Sequence, residues 1–224
     1  MKVAVVGAGK TGSAVIDLLV DEVIGPFNSK NKVSYDELVK ADVAIVFTPG
    51  EVFLEVFPHL IEAKIPVVTG ATGFEWNKDM LNAIEGSGVP WVSATNFSLG
   101  MNIVKVALNQ MSRLKDLMGD VQAHITETHH TKKLDAPSGT AKSWASWFGY
   151  SGDIESIREG DVKGIHELTL TSPFEKITLK HESLDRALFA QGAIWAAKYI
   201  MQNQLEAKLY LFEEIIEQKY QEGV

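Results

Sequence analysis

The chain has 224 residues, 46% of them hydrophobic and 22% charged, and its 21 Lys and Arg against 29 Asp and Glu give a formal net charge of −8. That length and apolar fraction provide for a real core and exclude a disordered or collagen-like chain. The acidic balance argues against nucleic acid or an anionic membrane as partner, and no apolar run reaches the roughly 18 residues of a membrane span. Zero cysteines remove disulfides, thiolate metal sites and cysteine nucleophiles together. With no signal-peptide pattern after Met1, the expected location is cytoplasmic.

Lys2-Val3-Ala4-Val5-Val6 is a short β-branched run of the kind buried on both faces of a parallel sheet. Gly7-Ala8-Gly9-Lys10-Thr11-Gly12 follows, then an amphipathic stretch from Ser13 to Val20 with Val15, Leu18 and Leu19 at helical spacing. Val23 to Phe27 reads as a second strand, and Ser34 with Glu37 has capping-box spacing for a short helix. Val43 to Phe47 is another buried strand, followed by Thr48-Pro49-Gly50 and a helix through Ile61. Pro66 to Thr69 and Val89 to Ser93 complete the strands of this half. Strands alternating with helices at this spacing predict an α/β fold with a Rossmann-like, doubly wound parallel sheet.

The pattern changes after Asn96. Leu99 to Leu117 reads as one long helix, with Ile103, Val106, Ala107, Gln110, Met111 and Leu114 as its apolar-periodic face. Asp120 to Thr128, Gly164 to Leu170 and Glu175 to His181 alternate as strands do. Consecutive strands with few helices predict an α+β domain built on an open mixed sheet. Helices from about Arg186 to Gln202 and from about Leu211 to Lys219 close the chain. The expected division is a dinucleotide-binding domain of residues 1–97 with 193–224, and a substrate-binding and oligomerisation domain of residues 98–192.

Gly7-x-Gly9-x-x-Gly12 sits after a strand and opens a helix, as a pyrophosphate-binding loop requires. The same glycines would also serve a tight strand–helix turn without ligand. No Asp or Glu follows the second strand to hold a ribose 2′-hydroxyl. Asn28-Ser29-Lys30 stands there instead, and Lys30 could accept a 2′-phosphate, which favours NADPH over NADH.

The densest chemistry is Glu127-Thr128-His129-His130-Thr131-Lys132-Lys133-Leu134-Asp135-Ala136-Pro137-Ser138-Gly139-Thr140-Ala141. Ser138 can cap a helix through Phe148, leaving the Gly139 and Thr140 amides as a carboxylate site. His124, His129 and His130 cluster in sequence, yet adjacent histidines on an extended chain point opposite ways and the spacing matches no metal motif, so no metal is expected. A solvated polar loop is the plain alternative. Trp144 and Trp147 read as packing residues, His166 and His181 as sheet residues, and Arg186 as a surface charge at a helix start, with a second carboxylate anchor as the alternative.

The fifteen-residue segment resembles the signature of the dihydrodipicolinate reductase family, also called 4-hydroxy-tetrahydrodipicolinate reductase, of lysine and diaminopimelate biosynthesis. Gly70-Ala71-Thr72-Gly73-Phe74 resembles the family turn that contacts the nicotinamide end. Ala94-Thr95-Asn96-Phe97-Ser98-Leu99-Gly100-Met101-Asn102 resembles its hinge, and Phe189-Ala190-Gln191-Gly192-Ala193 resembles the segment that opens its return helix. The segment between Val20 and Val43 is shorter than in longer family members, so the adenosine end of the cofactor site is the least transferable part.

The resemblance implies hydride transfer from NADPH or NADH to a cyclic unsaturated imine dicarboxylate. It implies His129 as proton donor, Lys133 as the second catalytic cation, and His130, Ser138, Gly139 and Thr140 as substrate ligands. Cofactor contacts would come from Gly7, Ala8, Gly9, Lys10, Thr11, Gly12, Lys30, Gly70, Ala71, Thr72, Ala94, Thr95, Asn96 and Phe97. A homotetramer paired through the second sheet is implied as well. A related two-domain dehydrogenase would keep the glycine loop but lack the His–Lys cluster, and a silent nucleotide sensor would have lost the proton-transfer residues.

Overall fold

The computed structural model describes residues 1–222. Along the chain come β1 (Val3–Val6), α1 (Lys10–Leu19), β2 (Val23–Phe27), α2 (Tyr35–Leu38), β3 (Val43–Val46), α3 (Gly50–Ala63), β4 (Val67–Thr69), α4 (Lys78–Ser87) and β5 (Trp91–Ser93). Next are α5 (Leu99–Leu114), β6 (Gln122–His129), α6 (Gly139–Phe148), β7 (Glu155–Arg158), β8 (Ile165–Thr171) and β9 (Lys176–Glu182). The chain ends in α7 (Ala187–Gln202), β10 (Leu209–Leu211) and α8 (Phe212–Glu222). It divides into two compact units, Leu99–Asp185 and the remainder, so the return to the first unit falls at Arg186.

The first unit holds a six-stranded sheet in the order β10-β5-β4-β3-β1-β2, every pairing parallel. All residues of β1 and β3 are buried, as their β-branched runs demand of strands covered on both faces. From β1 the chain steps one way to β2 and the other way to β3, β4 and β5. The direction of winding thus reverses between β1 and β3, and their carboxyl ends are the position where doubly wound sheets bind ligands. Phe53, Leu60, Ile84 and Trp91 fill the layer between sheet and helices. β10, where sequence pattern places only a helix start, exists because Leu209–Leu211 pair in register with Trp91–Ser93. Ser34 stands at the start of α2 but makes no side-chain cap, and Glu37 bonds Lys40 at 2.5 Å instead of reaching back.

The second unit holds a four-stranded mixed sheet in the order β7-β6-β8-β9, with β7 parallel to β6 and the other pairings antiparallel. Ile125, Leu168 and Leu179 face one another across β6, β8 and β9, and α5 and α6 cover that face through Leu108, Trp144 and Phe148. The buried stripe of α5 is Met101, Val104 and Leu108, whereas Ile103 is 68% exposed and Leu114 is also exposed. The helix is apolar on more than one side, so its 3.6-residue period admits two core stripes and packing selects one. Among the described residues no helix is long and apolar enough to cross a membrane.

The two stripes predict different costs. Leu108→Ala, at a fully buried position, should lower the free energy of unfolding by about 2–5 kcal/mol. Ile103→Ala should stay within about 0.5 kcal/mol of the parent. Urea unfolding midpoints at a common slope compare them.

Candidate active site

The site of the second unit grows from the core face of its sheet. Side chains alternate along β6, so Ile125, Glu127 and His129 share the inward face and His124 lies on the other, where its ring meets Glu155 at 3.0 Å. Register then assembles polar rows beyond the apolar one. Ser156, Glu127, His166 and His181 lie side by side across the four strands, and Arg158 pairs with His129. The residues that cluster are thus Glu127, His129, Arg158 and His166. The run His124, His129, His130 stays apart because strand alternation separates its members.

Glu127 is fully buried. Its Oε1 accepts from Nη2 of Arg158 at 2.8 Å and from the Ser138 amide at 3.3 Å. Its Oε2 lies 2.5 Å from Nδ1 of His129, an ion pair when the ring is protonated but without the alignment of a linear hydrogen bond. Burial alone would raise the Glu127 pKa, but contacts from Arg158, Ser156 and Ser138 and the His129 charge bring it down to about 2. The group stays ionised at neutral pH. His129 is pushed below its ordinary value by burial, against the pull of Glu127 and with help from Lys133 and Arg158. His166 is held down to about 4, chiefly by burial, and its Nε2 meets the Ser138 hydroxyl at 3.3 Å.

The loop after β6 carries the remaining cations. Lys133 donates to Asp135 at 2.8 Å, and Nη2 of Arg158 also bonds the Asp135 carbonyl at 2.5 Å, tying loop to sheet. His130 and Lys133 are half-buried. Ser138 caps α6, its hydroxyl accepting from the Ala141 amide at 3.2 Å, and leaves exposed Gly139 and half-buried Thr140 in the first turn. That end offers amides and partial positive charge to an anion. Glu127, His129 and His166 bring three metal-capable atoms within 4.8 Å of one another. The Arg158 guanidinium already neutralises the carboxylate there, so the charge balance suits a proton better than a dication.

In the first unit, the anticipated cofactor residues all occupy carboxyl ends of strands. Gly7 to Gly12 follow β1, Gly70 to Thr72 follow β4, and Ala94 to Phe97 follow β5. A Cβ on Gly7 would lie 2.1 Å from the Phe47 carbonyl oxygen and one on Gly12 would lie 1.9 Å from the Gly7 oxygen, so neither position admits a side chain. Gly9 has open space instead, and α1 begins there with no side-chain cap and no acidic first turn. This cradle of unblocked amides fits a pyrophosphate. Lys30 is exposed in a turn closed by Asn28, whose Oδ1 accepts from the amides of Lys30 and Asn31 at 2.9 and 3.2 Å.

Sequence reasoning passes over Arg158 and the place of His166 in the buried cluster. The only local trace of the first is the alternation of Glu155-Ser156-Ile157-Arg158, too short to announce a strand; its neighbours are known once β7 pairs with β6.

A glycine-loop parallel sheet and a mixed sheet carrying a buried carboxylate–imidazole cluster have the parts that a nicotinamide-dependent oxidoreductase requires. The family described as dihydrodipicolinate reductase, N-terminus, matches residues 1–97, and its C-terminus counterpart matches residues 100–216. The chain belongs to the dihydrodipicolinate reductase family. A 4-hydroxy-tetrahydrodipicolinate reductase of Methanoculleus marisnigri is 33% identical over 79% of this chain and 76% of the relative. Another, of Haloarcula marismortui, is 31% identical over 89% of this chain and 93% of its own length. The solved dipicolinate-bound dihydrodipicolinate reductase of Paenisporosarcina sp. TG-14 shares the fold at a TM-score of 0.74 and 20% identity, covering 96% of this chain and 99% of that one.

The buried ionisable groups set a pH window. Unfolded His166 binds a proton below its ordinary value of 6.5, whereas the folded ring resists it down to about 4. Stability therefore falls as pH drops from about 6.5 to 4. Glu127, depressed from 4.5 to about 2, adds a further loss between those values. Melting temperature against pH should show this decline, and His166→Phe should flatten its upper part.

Proposed function

We infer that this chain acts as a 4-hydroxy-tetrahydrodipicolinate reductase, reducing a cyclic unsaturated imine dicarboxylate to tetrahydrodipicolinate in lysine and diaminopimelate biosynthesis. The observation that carries the residue roles is the joint placement, at one end of β6, of buried His129, half-buried His130 and Lys133, and the open first turn of α6. When bound, a reduced nicotinamide supplies hydride. His129 delivers the proton to the neighbouring carbon, with Glu127 opposing the burial that draws the ring toward its neutral form. Lys133, held by Asp135, stabilises negative charge that develops on the substrate. His130 and the Gly139 and Thr140 amides hold a substrate carboxylate, with Ser138 fixing the helix end that presents them.

The loops at Gly7–Gly12, Gly70–Thr72 and Ala94–Phe97 bind the cofactor, the first at its pyrophosphate. NADPH is preferred, with NADH accepted, because the turn after β2 carries Lys30 and no carboxylate against a 2′-phosphate. The enzyme works in the cytoplasm, consistent with its lack of cysteine. It assembles as a homotetramer through the face of the second sheet that α5 and α6 leave uncovered. Residues 1–97 with the returning chain form the dinucleotide-binding part, and the mixed-sheet unit forms the substrate-binding part.

Coupled to a dihydrodipicolinate synthase, the protein should consume NADPH, and more slowly NADH, above the synthase-only rate; no consumption with either cofactor would refute the activity. His129→Gln and Lys133→Met should each lower kcat by about 10²–10⁴-fold, and a variant with unchanged kcat and pH profile would remove that residue from the chemistry. Lys30→Ala should raise KM for NADPH several-fold while leaving KM for NADH in place, read in the same assay.

A further inference from the structure

We propose that Glu127 is the positioning residue for His129, holding the proton on Nδ1 so that Nε2 is the nitrogen that gives up its proton. The proposal rests on the reading of His129 as proton donor and adds which atom acts and what holds it.

The two oxygens of Glu127 have different duties. Oε1 is committed to Arg158 and the Ser138 amide, which leaves Oε2 to face Nδ1 of His129 at 2.5 Å. The contact is not a linear hydrogen bond, but the carboxylate charge at that range favours a proton over a lone pair on Nδ1, in both the neutral and the charged ring. The exchanging proton then belongs to Nε2. That nitrogen lies beside Gly164, where a Cβ would crowd it at 3.1 Å, so the glycine leaves it room. In the reaction the Nε2–H bond breaks as the new C–H bond forms, and imidazolium becomes the Nδ1–H imidazole. The hydride comes from the nicotinamide.

The charged and titratable groups around His129 are Glu127 on its own strand, Arg158 on β7, His166 on β8 with His181 of β9 beyond it, and Lys133 from the loop. From α6 the near groups are the neutral Ser138 and Trp144, which approach through His166. Glu127 is the acid that faces the ring, Asp135 being held on Lys133, and it opposes the desolvation and repulsion that drive the ring toward its neutral form.

Glu127→Gln tests this without changing the size of the side chain. Arg158 keeps the amide oxygen at the Oε1 position, so the NH2 group faces Nδ1 and forces the Nε2–H tautomer, as an amide in place of a triad carboxylate does. The expected results are a fall in kcat of at least about 10-fold, and an alkaline limb of the kcat/KM profile moved to lower pH by about one unit. Unchanged kcat overturns the proposal. A lower kcat with an unmoved alkaline limb also overturns it, since that is the mark of a merely structural role.

Nitrogen-15 NMR of the imidazoles in the unsubstituted protein, above the His129 pKa and with the signal assigned through His129→Gln, supplies a readout that needs neither turnover nor a folded Glu127 variant. An Nδ1–H signal for neutral His129 supports the proposal, and an Nε2–H signal overturns it. Loss of turnover in the unsubstituted protein would instead refute the reductase reading, so the two failures are distinguishable.

Discussion

A carboxylate removed from water must be met by partners that replace its hydration, and Glu127 imposes that demand on the second unit. The answer draws on three separate stretches of chain. Arg158 comes from β7, the Ser138 amide from the start of α6, and the His129 ring from two residues along the same strand. The parallel pairing of β7 with β6, the path of the loop through the Asp135 carbonyl, and the capped start of α6 all converge on this one group. Removing one partner from such a buried pair typically costs about 3–5 kcal/mol, which binds local geometry to local chemistry. The polar rows continue the apolar row of Ile125, Leu168 and Leu179, so the packed core provides their rigid floor.

The first unit solves a different problem with few charged side chains. Its loop after β1 relies on close backbone approach and on the open amides of α1, both secured by glycines whose Cβ positions are taken by carbonyl oxygens. Fixed dipoles of this kind favour a phosphate in general, and surrounding acidity matters little at that range. The net charge of −8 bears in the same way on the second unit. It disfavours extended polyanions, while His130, Lys133 and the first turn of α6 place hydrogen-bond donors within one short segment. Net charge limits the size of an anionic partner more than its sign.

Much of this organisation is legible in the chain. β-branched runs buried on both faces, the glycine spacing, and the switch from alternating strands and helices to consecutive strands identify both units, because each rests on local periodicity. Helix α6 is equally plain, since Ser138 caps it and Gly149 closes it in a left-handed conformation. Where local pattern is ambiguous the reading drifts. The α5 helix carries two apolar stripes and only contact with Trp144 and Phe148 decides between them. The three-residue β10 is a strand solely because β5 lies beside it.

The sequence by itself determined the fold class, the glycine loop and the dense segment from Glu127 to Ala141, because those signals sit within a few residues of one another. Tertiary structure decided what that segment does with its charges. Pairing register set Arg158 against His129 and placed His166 beside Glu127, across separations of tens of residues that no local pattern spans. Strand alternation also sent His124 to the opposite face, which a linear reading had grouped with His129 and His130. Residue types supply the chemistry, but which of them share a buried volume, and hence which are ionised, is a property of the folded sheet.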